Sequence, residues 1–322
     1  MNEVPGHLRD AVEAARHAPS IHNTQPWRWR VAGDDRLDLR AERSRQLDVE
    51  DPDGRLMVQS CGTALHHARL ALAAAGWVPD VRRLPDPSDP DLLATITAVG
   101  PREPDRAAVM MREAVAVRRT DRRPVTDRPV DQVALDTLAS LVNSQGIGWY
   151  ALSADQVVDL TVAMAQADRA EVADDAHRAE IARWVGGERD DRTGIPAGVV
   201  PDQEPQTRVP GRYFGPPGTL PVDSGQHDGV ASYVLLHGDG DTPEYWLRAG
   251  EALSAAWLAA TTLGLSLLPM SAVVEVLPAR LALRRLLSGL GYPYLALRLG
   301  YPRADAPAAE ATPRLTLDEV LE

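Results

Sequence analysis

Lysine is missing from all 322 residues, so every one of the 34 basic side chains is an arginine. A Walker-type phosphate loop and a lysine Schiff base are thereby excluded, and any charged side chain that grips a phosphate has to be a guanidinium. Cysteine occurs once, as Cys61. That rules out an intramolecular disulfide and a cysteine-rich metal site, and it fits a reducing compartment. No run approaches about eighteen uninterrupted apolar residues and the N-terminal stretch carries no apolar signal core, so neither membrane spanning nor secretion is expected and the protein is placed in the cytoplasm. The formal charge of −12 argues against nucleic acid as a partner, because duplex affinity needs surplus cation facing phosphate.

What is present suits a globular chain of one large fold or two fused half-domains, with 44% apolar and 25% charged residues. Leu8, Ala11, Val12 and Ala15 fall on one helical face and predict a helix over Pro5–Arg16 that stops before Pro19. Trp27–Val31 alternates, Gly33-Asp34-Asp35 offers turn chemistry and Leu37–Leu39 alternates again, which reads as a β-hairpin with Trp27 and Trp29 on a core face. A long helix is predicted from about Gly54 to Ala75, a strand over Leu93–Val99, helices over Asp105–Val117 and Asp131–Asn143, and a strand over Ile147–Leu152. One long helix then runs from a Ser153 cap to about Val185. Gly186–Gly229 is rich in Gly, Pro and Asp without periodicity, the composition of a lid, a binding loop or a disordered insertion. Beyond it come a strand at Ala231–His237, a helix to about Leu263, a helix over Val274–Leu287 and a strand at Tyr294–Leu299.

The chain also resembles itself. Cys61-Gly62-Thr63-Ala64-Leu65 aligns with Ala249-Gly250-Glu251-Ala252-Leu253, and the offset of 188 residues persists at Gly76 and Gly264, with Ala68/Ala256, Leu70/Leu258 and Ala71/Ala259 agreeing between them. Each copy is a small-residue helix stopped by glycine and later followed by an apolar strand that ends in Gly100-Pro101-Arg102 or Gly300-Tyr301-Pro302-Arg303. A duplicated α+β half-domain accounts for this better than chance agreement between two alanine-rich helices.

Three segments carry candidate chemistry, each with a plainer alternative. Ala18–Trp27 sets small hydrogen-bonding side chains in an extended turn, suited to a ligand or simply to capping itself. Arg118-Arg119-Thr120-Asp121-Arg122-Arg123 is the densest cationic cluster of an acidic chain and suits a small phosphate monoester, or else a solvated face paired with nearby carboxylates. Leu263–Ser271 could wall a flat ligand or serve as core. The adjacent histidines His66 and His67 cannot face one ligand from a helix, so no metal site is assigned to them. Cys61 opens a helix, where a thiol can be activated, yet lone buried cysteines are commonly inert.

The run APSIHNTQPW at Ala18–Trp27 resembles the N-terminal signature of nitroreductase-superfamily flavoproteins, and its Ile-His-Asn-Thr form is most similar to the Acg type. Asp51-Pro52-Asp53-Gly54-Arg55, Ser60–Leu65, Arg118–Arg123, Gly300-Tyr301-Pro302 and Thr312-Pro313-Arg314 extend the resemblance along essentially the whole chain. In that superfamily two subunits interlock around each FMN, an Arg-Arg-Ser/Thr motif of one holding the phosphate and a Pro-Ser-Ser-x-Asn turn of the other approaching the ring. Here each motif occurs once, in a different half. The resemblance therefore implies an α+β, nitroreductase-like fold of two diverged repeats, each with a mainly antiparallel sheet and long helices, fused to mimic the dimer: residues 1–104 with the turn, and residues 105–322 with the arginine motif and a lid-like insertion at about 186–229.

Carried over by position, the resemblance puts Arg118, Arg119 and Thr120 at the phosphate side, Arg122 near the pyrimidine edge, and Arg314 and Arg303 as further phosphate candidates. It lines the ring with Leu268, Pro269, Met270 and Ser271 and closes the pocket with Pro19, Ser20, Ile21, His22 and Asn23. Asn143-Ser144-Gln145-Gly146 stands where a second turn would lie, which implies one FMN per chain and a monomer that mimics a dimer. No metal and no catalytic side chain is expected, since the flavin carries the chemistry. The implied activity is hydride transfer from NAD(P)H through FMN to a nitro compound, quinone or similar small acceptor. The alternatives are an FMN-binding or sequestering protein whose lid blocks nicotinamide-dependent turnover, and a specialised flavin oxidase or dehydrogenase.

Overall fold

A computed structural model describes residues 4–186, 192–223, 228–289 and 291–322. Helix α1 (Gly6–Ala15) buries the predicted face of Leu8, Ala11, Val12 and Ala15. The hairpin β1 (Trp27–Val31) and β2 (Arg36–Ala41) follows, with Trp27 and Trp29 fully buried. Helix α2 (Arg55–Ala74) then leads into β3 (Trp77–Arg83) and β4 (Leu92–Pro101). These strands form one antiparallel sheet in the order β1-β2-β4-β3. The strand β3 was not anticipated. It alternates half-buried with exposed residues and contains Pro79, a pattern tolerated because β3 is an edge strand.

Helices α3 (Arg106–Val117) and α4 (Gln132–Asn143) open the second half. The strand β5 (Gly148–Ala151) and helices α5 (Ala154–Ala173) and α6 (Asp175–Trp184) come next, then β6 (Ser232–Gly238), α7 (Pro243–Thr262), β7 (Ser266–Met270), α8 (Ala272–Glu275), α9 (Leu277–Leu286), β8 (Tyr292–Gly300) and α10 (Leu317–Val320). Two helices expected to be continuous are broken. Asp174 leaves helical geometry, and its carboxylate accepts from the backbone of Ala176 and His177, so it caps α6 instead of extending α5. The 274–287 helix divides at Val276, where Pro278 enters the first turn of α9.

The second sheet has the order β5-β6-β8-β7, the same sequence of connections as the first, again antiparallel throughout. The repeat seen in sequence is thus a repeat of topology, and the chain is α+β. The two halves pack α2 against α7. Gly62 and Gly250, partners under the 188-residue offset, meet there: a Cβ on Gly250 would lie 1.9 Å from the Gln59 carbonyl oxygen and 2.9 Å from the Gly62 Cα. One turn on, the next offset partners also meet, His66 Nδ1 lying 2.9 Å from Ser254 Oγ. Equivalent positions touching each other is the behaviour of a local two-fold axis.

The halves are not separate along the chain. Leu321 bridges Trp29 in parallel, Glu322 N–H donates to the Trp29 carbonyl and Val31 N–H donates to the Glu322 carbonyl, so the C-terminal residues pair with the first sheet. A single hydrophobic core joins Trp27, Leu39 and Leu65 to Leu235, Trp257 and Leu297. Of the lid-like insertion, residues 187–191 and 224–227 lie outside the described residues. Among the described residues, no helix is long and apolar enough to cross a membrane.

Candidate functional site

The turn after α1 is held in an uncommon backbone. His22, Asn23 and Gln25 have φ of 42°, 56° and 50° without being glycine, which costs free energy and persists only where surrounding contacts over-determine it. Those contacts are present. The Gln25 N–H donates to Ser20 Oγ at 2.9 Å, the Ile21 N–H to Ser60 Oγ at 3.1 Å, and Thr63 Oγ1 to the Pro19 carbonyl at 2.5 Å. Asn23 Nδ2 donates to the carbonyls of Gly194 and Pro313, both at 3.0 Å, and Arg314 Nη1 returns a bond to Asn23 Oδ1 at 2.8 Å. The turn is fastened to α2, to the insertion and to the C-terminal segment at once.

That turn faces a cavity of about 500 Å³ between the halves. Pro19, Ser20, Ile21, His22 and Asn23 line it together with Arg118, Thr120, Arg122, Leu268, Pro269, Met270, Ser271 and Arg314. Ser20 and Arg118, 98 positions apart in the chain, therefore share one cavity. Two expected residues do not line it. Arg119 turns back to donate to the carbonyls of Ala116 and Arg118, and Arg303 lies on the surface paired with Asp223 and Asp305. Carboxylates close at hand satisfy Arg303, so it has no guanidinium to offer the cavity.

Arg118 is the most informative of the lining side chains. It is buried, yet Nε and Nη1 have no hydrogen-bond partner among the described residues. Its guanidinium lies 4.4 Å from the Trp257 ring centroid. Burial, with Arg314 and Arg119 adding repulsion, pushes it down to about 9. Arg314 falls to about 10 through burial and its arginine neighbours Arg119 and Arg16. Arg122 also falls to about 10; burial is the main cause, and Arg212 adds repulsion against the opposing pull of Asp121. A desolvated guanidinium short of acceptors, as Arg118 is, is poised for an anion. The apolar remainder of the wall, Leu253, Leu268, Pro269 and Met270, suits a flat ring. Together these residues fit a ligand with one planar apolar end and one phosphate.

Sequence reasoning missed several lining residues. Gln59, Ser60 and Thr63 present polar groups from α2, Thr312 sits beside Arg314, and Arg298 reaches the cavity while bonded to Asp228 at 2.8 Å. The available signal was departure from the repeat. Thr63 and Trp257 line the cavity, whereas their 188-offset partners Glu251 and Arg69 pair with each other, and Arg83 donates to Glu251 at 2.7 Å. The counterpart on the other side of the pseudo-two-fold is thus occupied by buried charge pairs.

The insertion supplies much of the roof, including Ile195, Val200, Pro201, Tyr213 and Phe214. Arg122 lies under it, 4.8 Å from the Phe214 ring centroid and donating to the Val199 carbonyl at 3.0 Å. Arg212, which also lines the cavity, enters a nest of three carboxylates. It donates to Glu50 at 2.5 Å and Glu171 at 3.0 Å and pairs closely with Glu275. His22 Nε2 lies 2.7 Å from Glu50, and His177 Nε2 lies 3.6 Å from it. Burial would raise Glu50, but Arg212 and His22 hold it well below the usual range. Burial, assisted by Glu50 and Glu171, holds Glu275 well above that range against the pull of Arg212. Glu50, His177 and Glu275 have donor atoms close enough to share a cation, and Arg212 supplies one.

Fold and site together define a two-halved α+β ligand-binding protein whose single chain supplies both walls of an anion-seeking cavity. No protein-family model matches the chain. Full-length relatives do. A Mycobacterium tuberculosis protein with the provisional name NAD(P)H nitroreductase Rv3131 is 39% identical over 98% of this chain and 91% of its own length. The provisionally named NAD(P)H nitroreductase acg of the same organism is 31% identical over 97% of this chain and 94% of its own. The chain belongs to the nitroreductase family of oxidoreductases, in its Acg-type branch. Among solved structures, the FMN and NADPH-dependent nitroreductase NfnB from sphigopyxis sp. aligns with 66% of this chain and 97% of its own at 19% identity and a TM-score of 0.41. A nitroreductase with bound FMN from Bacteroides fragilis aligns with 62% and 92% at 16% identity and a TM-score of 0.36. Likenesses that distant add nothing to the case made by the two relatives.

Proposed function

We propose that this chain binds one FMN in the cavity between its halves and works as an NAD(P)H-dependent oxidoreductase on a small nitro, quinone or related acceptor. The observation that carries the reading is Arg118, a buried guanidinium with unpartnered donors opposite the Ser20–Asn23 turn. Arg118, Thr120, Thr312 and Arg314 would hold the phosphate, and Leu268–Ser271 with the turn would flank the ring. Arg122 would place positive charge near the ring, favouring its electron-rich form. Bound there, FMN would supply two-electron hydride chemistry between NAD(P)H and the acceptor. The protein binds, orients and excludes water. One chain provides both walls, so no second copy is needed to complete the cavity.

The roof favours a second reading, in which the chain sequesters FMN and the insertion bars the nicotinamide. Reconstitution with FMN and anaerobic mixing with NADH or NADPH separate the two. Rapid bleaching of bound flavin by either nucleotide is the expected result. Bleaching by dithionite alone establishes sequestration, and failure to retain FMN at all refutes both.

A further inference from the structure

Among the described residues, Arg212 is the one basic side chain that the roof sends into the Glu50–Glu171–Glu275 nest. Its three acceptors come from three separate elements: Glu50 precedes α2, Glu171 lies near the end of α5, and Glu275 closes α8. Arg212 and its neighbours Gly211, Tyr213 and Phe214 all line the cavity. The roof has other ties, among them the packing of Val199 and Val200 against Leu47 and Ile181. Tyr213 N–H donates to Asp168 at 3.0 Å, Arg208 donates to the Ala154 carbonyl at 2.8 Å, and Arg122 touches the roof from below. Arg212 thus ties the roof to the body through largely buried charge, where breaking a pair is costly.

The volume matters equally. About 500 Å³ lies within the range that receives one drug-sized ligand, and Tyr213 and Phe214 of the roof line it.

Building on the flavin reading, we propose that Arg212 is the latch of the roof and the residue that decides which ligands reach the cavity: with its guanidinium seated among Glu50, Glu171 and Glu275 the cavity accepts one flavin-sized molecule, and a nicotinamide dinucleotide reaches that molecule only when Arg212 leaves the nest. The latch is a positioning device. Its effect falls on exchange and access.

The test uses the full chain with Arg212→Met, which keeps much of the side-chain volume without the charge, and Glu171→Gln, which removes one carboxylate charge with almost no change in shape. Hydrogen exchange is followed in the peptides covering 201–217 of the FMN-free protein. The release rate of FMN and its reduction rate by NADPH are measured on the loaded protein. Arg212→Met is expected to accelerate exchange in 201–217 and FMN release at least tenfold while exchange in α2 and α7 stays at the wild-type rate, and to raise the NADPH reduction rate in parallel. Glu171→Gln moves all three the same way by less, and Arg212→Lys falls between wild type and Arg212→Met. Exchange and release within twofold of wild type in a folded Arg212→Met protein overturn the latch. If that variant does not fold, the same criterion applies to Glu171→Gln. Faster release with an unchanged NADPH rate overturns the access claim. Wild-type protein that binds no FMN sinks the flavin reading, and the exchange arm, run without flavin, still decides the latch.

Discussion

Gly250→Ala adds a methyl group where α7 crosses α2 in close backbone contact. That carbon would stand 1.9 Å from the Gln59 carbonyl oxygen and 2.9 Å from the Gly62 Cα. Carbon and carbonyl oxygen approach comfortably at about 3.3–3.6 Å, so α2 and α7 must part by more than about 1 Å. Both obstacles are backbone atoms, so no rotamer change can give way. Alanine returns about 1 kcal/mol of helix propensity, whereas overpacking costs about 1–3 kcal/mol and more where backbone must move. The clash wins, and a net loss of about 2 kcal/mol is expected. The same crossing sets the spacing of the cavity walls, Gln59 and Thr63 on α2 facing Leu253 and Trp257 on α7. FMN affinity should therefore fall by roughly tenfold, which corresponds to about 1.4 kcal/mol. Urea unfolding followed by circular dichroism reads the first effect and flavin fluorescence titration reads the second. Gly6→Ala is the control, since nothing lies within 4 Å of its added Cβ, and it should be neutral or slightly stabilising. A Gly250→Ala protein with wild-type stability and wild-type affinity would refute the crossing as the element that sets the cavity.

Two further outcomes are expected. Arg118→Met should weaken FMN binding by about 10–100-fold, the range of a charge-assisted hydrogen bond lost from a buried site. Arg303→Met, at a surface residue held by Asp223 and Asp305, should leave affinity within about twofold; equal losses in the two titrations would contradict the placement of the phosphate. Asp51 is raised to about 7 by burial, against hydrogen bonds from the backbone of Met57 and Leu56. The folded state therefore keeps a proton that the unfolded chain releases near its ordinary value, and stability declines as pH rises from about 4 to about 7. Asp51→Asn can still accept the Met57 N–H and lacks that decline. Its advantage over wild type should be small at pH 4 and reach up to about 4 kcal/mol at pH 8. Denaturant unfolding at both values checks this, and equal advantages would exclude Asp51 as the titrating group.

Much of this molecule was legible along the chain because the relevant signals are local. The one-faced pattern of Leu8, Ala11, Val12 and Ala15, the alternation about Trp27 and Trp29, and the Ser153 cap each depend on neighbours a few residues away. The breaks at Asp174 and Val276 were missed because a cap inside a helical pattern declares itself only once the chain turns toward a neighbour. The strand β3 was missed because Pro79 is acceptable only at an edge, and edge position belongs to the sheet. For the site, the turn and the arginine cluster were readable as motifs, and Arg118, Thr120, Arg122 and Arg314 do line one cavity with Ser20–Asn23. Arg119 and Arg303 could not be separated from them in sequence, because carbonyls and carboxylates brought near by folding decide which guanidinium is already satisfied.

By itself the sequence determined the repeat, the helices and strands with local patterns, and the two motifs whose residue types suit a phosphate and a planar ring. Only the tertiary structure decided that Gly62 meets Gly250, that the C-terminal residues return to β1, and that Arg212 buries its charge among Glu50, Glu171 and Glu275. The reason lies in the range of the forces. Periodicity and capping act over one or two turns of chain, whereas close backbone approach and the pairing of buried charge depend on which distant segments the shared core draws together.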